Sequence, residues 1–204
     1  RFTATGSMHT PRRNATATRL ADGTVLVAGG YNGDAVNAPE RFNPGSGTFQ
    51  TTAPMATARR YPTASLLVNG DVLMVGGLAT ATGDALQSSE RFLPGSSSGL
   101  GSTGRFVSAG SMHQARARHT ATSLGRNRIL IAGGFDGKEP MASAELYDVA
   151  RQSFREAASM QTPRYRHTAT PLLNGSVLIV GGADANGALA SAELFHLASS
   201  GGLG

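Results

Sequence analysis

Residues 167–182 read HTATPLLNGSVLIVGG, and three weaker copies precede them: NATATRLADGTVLVAGG at 14–30, PTASLLVNGDVLMVGG at 62–77 and HTATSLGRNRILIAGG at 119–134. Their glycine pairs fall at Gly29-Gly30, Gly76-Gly77, Gly133-Gly134 and Gly181-Gly182, at intervals of 47, 57 and 48 residues. A period of this size belongs to arrays in which one repeat cannot bury its own apolar face and stacks on a neighbour. The 204 residues therefore read as one cooperative array.

Upstream of each copy, an aromatic residue (Phe2, Phe49, Phe106, Phe154) precedes a methionine (Met8, Met55, Met112, Met160) by six residues, across an alternating segment that reads as a strand, D. Four residues after each methionine comes an arginine: Arg12, Arg59, Arg116 and Arg164. An Ala/Thr-rich strand, A, follows and ends near Leu20, Leu66, Leu124 and Leu172. Asp22-Gly23, Asn69-Gly70 and Asn174-Gly175 then predict type I′ hairpins, since both residues tolerate positive φ; the third repeat has Arg126-Asn127 instead. The return strand, B, is a continuous apolar run such as Val72-Leu73-Met74-Val75, as expected of a strand covered on both faces. Past the glycine pair, a polar loop leads to strand C, marked by Glu40, Glu90, Glu145 and Glu193, each two residues before an aromatic. The longer second repeat contains SSSGLGSTG at 96–104, which has linker composition.

The composition narrows the chemistry. Cysteine is absent, which removes disulfides, thiol catalysis and thiolate metal sites together. Tryptophan is also absent, so the core must be built from Val, Leu, Ile, Met, Ala and a few Phe. The net charge of +5 is carried by arginines, Lys138 being the only lysine, and several arginines keep register with the repeat. No basic run of five or more occurs, so nucleic acid is not an expected partner. The apolar runs are far too short for membrane insertion. The chain starts at Arg1 without a signal-peptide pattern, which reads as an N-terminus processed, engineered or cut from something longer.

Four short, hairpin-linked antiparallel strands per repeat make a propeller blade. The order of Arg, apolar strand, Gly-Gly, Glu-x-aromatic and a second aromatic resembles the kelch repeat, over the whole chain except its tail. The wording HTAT…VLIVGG…ASAELF is similar to bacterial kelch-repeat proteins and to the central domain of galactose oxidase. In the last strand, Phe stands where the family usually has Trp. The expected fold is all-β: a kelch-type β-propeller of four repeats at about 9–55, 56–112, 113–160 and 161–198, with an N-terminal strand over 1–8 and a flexible tail over 199–204. If Phe2–Thr5 pairs with strand C around Glu193–Phe195, the ring closes on four blades; the alternatives are a piece of a larger ring or half of a two-chain assembly.

With four copies in one chain, positions kept in every repeat serve the blade, and positions that differ are released from it. Arg12, Arg59, Arg116 and Arg164 are expected to pair with Glu40, Glu90, Glu145 and Glu193, because a charge held beside a packed sheet is costly unless paired. The D-to-A and B-to-C loops share one face, and the ligand-binding candidates lie there: Arg13, Asn14, Tyr31, Asp34, Arg60, Tyr61, Arg118, Phe135, Asp136, Tyr165, Arg166 and Asp184. Arg, Tyr, Asp and Asn around a shallow mouth suit a saccharide or a peptide carboxylate. His9 and His113 occupy equivalent places, as do His119 and His167, and no pair has metal-ligand spacing. No metal, cofactor or catalytic residue is expected. The expected function is a non-enzymatic interaction module presenting this face to a protein or glycan ligand. The resemblance adds an extracytoplasmic or secreted location and, as alternatives, a fragment of a galactose oxidase-like or sugar mutarotase-like enzyme or a purely structural domain. The galactose oxidase copper site relies on a Tyr–Cys crosslink that this chain cannot form. Self-association is expected if the ring is incomplete.

Overall fold

The computed structural model describes residues 1–80, 83–95, 103–125 and 127–197. Arg126, most of the 96–104 linker and the 199–204 tail lie outside the described residues. Among the described residues, fifteen strands form four antiparallel meanders. The first is β1 (Thr16–Arg19), β2 (Val25–Ala28), β3 (Glu40–Asn43) and β4 (Thr48–Thr51). The second is β5 (Thr63–Leu66), β6 (Val72–Val75), β7 (Ser88–Leu93) and β8 (Arg105–Ser111). The third is β9 (Thr120–Ser123), β10 (Arg128–Ala132), β11 (Ala144–Asp148) and β12 (Ser153–Ala157). The fourth has three strands among the described residues, β13 (Thr168–Pro171), β14 (Val177–Val180) and β15 (Ala192–Phe195). The inner strands neighbour one another in chain order, β1 to β5 to β9 to β13. The architecture is all-β and consistent with a kelch-type propeller.

Alternation on the second strand of each sheet divides its side chains between two neighbours. In the second sheet, Val72 and Met74 pack on Leu26 and Ala28 of the first, while Leu73 and Val75 pack on Ile129 and Ile131 of the third. Leu130 and Ala132 then meet Val177 and Ile179 of the fourth. Each such fully buried Val, Leu, Ile or Met side chain contributes about 1.5–3 kcal/mol. Strands β6 and β10 are accordingly buried on both faces, whereas β2 and β14, in the end sheets, alternate. In the first three sheets an aromatic pair staples the third strand to the fourth: Phe42–Phe49, Phe92–Phe106 and Tyr147–Phe154, with ring centroids 4.9, 5.0 and 4.8 Å apart.

Two expectations are corrected. The A-to-B turns are not type I′. Gly23 takes φ 85° but Asp22 stays at negative φ; the Gly23 amide donates to Leu20 O, and the Leu20 amide to Thr24 O. This is a three-residue loop, a type I turn followed by a left-handed glycine, and it recurs at Gly70 and Gly175. The preceding Asp or Asn accepts from the residue after the glycine (Thr24, Asp71, Ser176), so its side chain closes the turn and its backbone need not be left-handed. In the third sheet Asn127, φ 59°, takes the glycine's place.

The second correction concerns closure. Phe2–Thr5 forms no strand and does not pair with β15. Instead the Gly6 amide and the Thr5 hydroxyl both donate to Gly47 O, which fixes the N-terminal segment against the first sheet. Closure of a single-chain ring of four blades is therefore not shown among the described residues.

Candidate functional site

Two sets of arginines approach the loop face and have opposite fates. The first set is buried. Arg59 and Arg116 are fully excluded from solvent, and the Arg12, Arg59, Arg116 and Arg164 Nη2 atoms meet Glu40, Glu90, Glu145 and Glu193 Oε1 at 2.8, 2.7, 2.9 and 2.9 Å. Each carboxylate also accepts two amides from the link entering its own sheet: His9 and Thr10, Ala56 and Thr57, His113 and Gln114, Gln161 and Thr162. Each guanidinium donates in turn to the carbonyl of the first glycine of the pair, at Gly29, Gly76, Gly133 and Gly181. The pair therefore locks the incoming link to strands two and three of one sheet. Burial pushes the Glu40 and Glu193 carboxyls up, but the amides and the arginine fork outweigh it and hold both below their ordinary value. Burial lowers the Arg59 and Arg116 values, opposed by their glutamates.

The same link explains the glycine pair. The second glycine's amide donates to the framework-arginine carbonyl of the next sheet: Gly30 to Arg59, Gly77 to Arg116 and Gly134 to Arg164, at 2.8–2.9 Å. A Cβ on Gly133 would lie 2.5 Å from Arg164 O and 2.8 Å from the His167 ring. His119 and His167 occupy these sheet-to-sheet seams, with Nε2 2.9 Å from the hydroxyls of Thr63 and Thr120 of the preceding sheet. Burial, then the Arg116 charge and His167, push His119 well below its ordinary value; burial and Arg164 bring His167 down to about 4. Both rings are neutral at pH 7. His9 and His113 instead place Nδ1 2.9 and 3.1 Å from Glu40 and Glu145.

The second set of arginines forms the mouth. The residue after each framework arginine bridges to the residue after the glycine pair: Arg13 to Tyr31, Arg60 to Leu78, Ala117 to Phe135 and Tyr165 to Ala183. The next residue, Asn14, Tyr61, Arg118 or Arg166, is left-handed, with φ of 59, 53, 55 and 57°. Such a conformation costs a large side chain about 1–2 kcal/mol. A hydrogen-bond staircase compensates: the Tyr61 amide donates to Asn14 O, Arg118 to Tyr61 O and Arg166 to Arg118 O. Four sheets thus offer four side chains from one repeated backbone position.

These side chains interleave. Guanidinium carbons lie over ring centroids at 5.0 Å for Arg13–Tyr31, 5.2 Å for Arg60–Tyr31, 5.7 Å for Arg60–Tyr61, 4.6 Å for Arg118–Tyr61, 5.8 Å for Arg118–Tyr165 and 5.6 Å for Arg166–Tyr165. Phe135 adds a ring contact to Tyr165 at 5.7 Å. A cation–π chain therefore runs across all four sheets, each link worth about 0.5–1 kcal/mol where exposed. Arg13, Arg118 and Arg166 enter no ion pair among the described residues. A shallow depression beside the chain is lined by Pro11, Arg12, Arg13, Tyr31, Asn32 and Gly33.

The acidic candidates behave differently from the basic ones. Asp136 Oδ1 accepts the Lys138 and Glu139 amides, and Asp184 Oδ1 those of Asn186 and Gly187. Asp34 Oδ1 accepts the Ala35 amide. They shape their own loops, and burial of Asp136 is outweighed by those amides, which hold its carboxyl low. Glu139 and Glu156 are exposed. Among the described residues, no group of three or more His, Asp or Glu is placed to hold a metal ion, and no helix is long and apolar enough to cross a membrane. Sequence reasoning missed the staircase and the interleaving; the alternation of Arg and Tyr at matched places of successive repeats was the available signal.

Antiparallel meanders stacked through their faces, with variable loops gathered on one side, define a repeat scaffold of the propeller class. Residues 115–161 match the family model described as Kelch motif, and this match together with the four sheets fits a kelch-repeat β-propeller. Kelch repeats generally mediate protein–protein interaction, which supports an interaction module. No curated protein matches the chain.

Proposed function

We propose that the chain is a non-enzymatic module that binds an acidic protein segment through the Arg/Tyr chain of its loop face. The observation that carries this reading is the charge division at the mouth. Among the described residues Arg13, Arg118 and Arg166 keep their forks outside any ion pair, while Asp34, Asp136 and Asp184 turn to their own loop amides. A planar guanidinium receives a carboxylate through two parallel hydrogen bonds. Tyr and Arg are also the side chains that dominate protein interfaces. The cation–π contacts hold the forks in place before a ligand arrives, which lowers the ordering cost of binding.

An acidic glycan is the second reading, because its carboxylates would meet the same forks. Stacking of neutral sugars is less well supported, since Tyr31 and Tyr61 each lie between two guanidinium groups. Placement outside the cytoplasm belongs to the same proposal and rests on the resemblance of the repeat wording to bacterial kelch-repeat proteins. Self-association through the ends of the array belongs to it as well.

The test is titration with a poly-glutamate peptide, a poly-glutamine peptide of equal length, hyaluronate and dextran. The proposal expects poly-glutamate to bind most tightly, with affinity falling as salt rises, and the exposed-site variant Arg13→Ala/Arg166→Ala to lose about tenfold or more, a loss of about 1.4 kcal/mol. Equal binding of the two peptides, or an unchanged double variant, overturns the proposal; hyaluronate binding above poly-glutamate moves the assignment to the glycan.

A further inference from the structure

An asparagine followed by glycine readily loses its side-chain amide in water, because the glycine brings its backbone nitrogen to the neighbouring carboxamide with no side chain in the way. The chain has four such pairs, Asn32-Gly33, Asn69-Gly70, Asn174-Gly175 and Asn186-Gly187. In three of them the fold holds the attacking nitrogen. The Gly70 and Gly175 amides donate to Leu67 O and Leu172 O at 2.9 and 3.0 Å, and the Gly187 amide donates to Asp184 Oδ1 at 3.0 Å. The Asn69 and Asn174 carboxamides are engaged as well, with Asp71 and Ser176.

Asn32-Gly33 is the exception. In its loop the acid follows the pair instead of preceding it, so Asp34 Oδ1 accepts the Ala35 amide and leaves the Gly33 amide alone. Among the described residues the Gly33 nitrogen and the Asn32 carboxamide have no hydrogen-bond partner. Both residues are exposed, and a Cβ on Gly33 would meet nothing within 4 Å. The place is also charged. Asn32 and Gly33 line the shallow depression together with Pro11, Arg12, Arg13 and Tyr31, and the Arg13 guanidinium lies over the Tyr31 ring at 5.0 Å.

We infer that Asn32-Gly33 is a self-modifying site, converted in water to aspartate or isoaspartate, and that the new carboxylate occupies the Arg13 fork in place of an acidic ligand. The Gly33 nitrogen, deprotonated by base, attacks Asn32 Cγ; the N–Cγ bond forms, the Cγ–Nδ2 bond breaks and ammonia leaves. Water then opens the cyclic imide at either carbonyl. The net change is water consumed, ammonia released and a neutral amide replaced by an acid, so no oxidant, reductant or cofactor takes part. The carboxylate arises beside Tyr31, in the depression that Arg13 lines, and Arg13 enters no ion pair among the described residues that would compete for it. The effect on ligand binding rests on the proposed reading of the mouth; the reactivity of the site does not.

The folded chain and the urea-denatured chain are incubated side by side in mildly alkaline buffer and mapped with trypsin. Cuts after Arg19, Arg41, Arg60, Arg91 and Arg166 put Asn32, Asn69 and the last two pairs on separate peptides, and fragmentation separates Asn174 from Asn186. The four pairs should react at similar rates in the denatured chain. In the folded chain Asn32 should outpace the other three by about tenfold or more, since their nitrogens must first break a hydrogen bond. Asn32→Gln, whose longer side chain disfavours ring closure, should keep its amide. Titration with poly-glutamate then compares fresh with aged protein: the wild type should lose about threefold in affinity, the effect of one surface charge pair. Asn32→Asp should show that loss when fresh, and Asn32→Gln should hold its starting affinity through ageing. Reaction at Asn69, Asn174 or Asn186 as fast as at Asn32 in the folded chain, or an Asn32 that stays intact there, overturns the site. Aged wild type or Asn32→Asp binding as tightly as fresh protein overturns the effect on the ligand. If fresh protein binds no poly-glutamate, the reading of the mouth fails with that effect, and the peptide map alone decides the site.

Discussion

Acidification from pH 7 to 4.5 is expected to loosen the array at its seams. His167 is buried against the preceding sheet with Nε2 on Thr120, and its folded value of about 4 lies below the ordinary 6.5. A depressed histidine value means that the unfolded chain takes up the proton first. The stabilisation is full above about pH 6.5 and is lost as pH falls towards 4. Over the interval from 7 to 4.5, two pH units lie below the unfolded value; at 1.36 kcal/mol per unit, with a small correction for protonation of the folded state, the loss is about 2.5 kcal/mol. His119 acts with the same sign. Against a total stability of about 5–15 kcal/mol this is a large fraction. The depressed carboxyls of Glu40 and Glu193 contribute stability lost mainly below pH 4.5, so the two effects separate on the pH axis. Urea melts followed by tyrosine emission, at half-unit steps, measure the slope. His167→Gln should be less stable at pH 7 but should lose about 2.5 kcal/mol less than the wild type on acidification. A variant with the wild-type slope would refute the reasoning, since His167 could not then be the group that titrates.

Three further outcomes follow from the same geometry. Glu90→Gln leaves the fully buried Arg59 guanidinium without its counter-ion and should cost about 3–5 kcal/mol in urea melts, whereas the double variant Arg59→Met/Glu90→Leu should recover much of that loss. Gly133→Asn drives a Cβ against Arg164 O and the His167 ring and should lower the melting temperature sharply, whereas Gly181→Asn, whose Cβ would meet Leu189 O at an ordinary 3.5 Å, should leave the melt nearly unchanged, with calorimetry comparing the two. Arg166→Ala, at an exposed position, should shift stability by less than about 0.5 kcal/mol while weakening poly-glutamate binding, as isothermal titration would show.

Much of the site was legible because repetition acts as a control within one chain. Arg59 and Glu90 recur in every repeat and sit in equivalent buried pairs; Arg60 and Tyr61 vary and sit at the mouth. The misread turns at Asp22-Gly23, Asn69-Gly70 and Asn174-Gly175 have a local cause. The dipeptides allow two hairpin geometries, and the Asp or Asn side chain, by accepting the amide two residues on, selects the one that spares its own backbone.

The sequence alone determined the period, the four strands of a blade, the hydrophobic alternation and the division between framework and variable arginines, because these follow from spacing and side-chain chemistry along the chain. Which side chains meet between repeats was decided only in three dimensions. Tyr61 touches Arg118, 57 positions away, because a left-handed residue in each sheet hands its carbonyl to the amide of the next. Closure was likewise beyond the sequence: Phe2–Thr5 has the pattern of a fourth strand, but whether β15 can reach it depends on how the sheets are set around the axis, and the segment is held instead at Gly47.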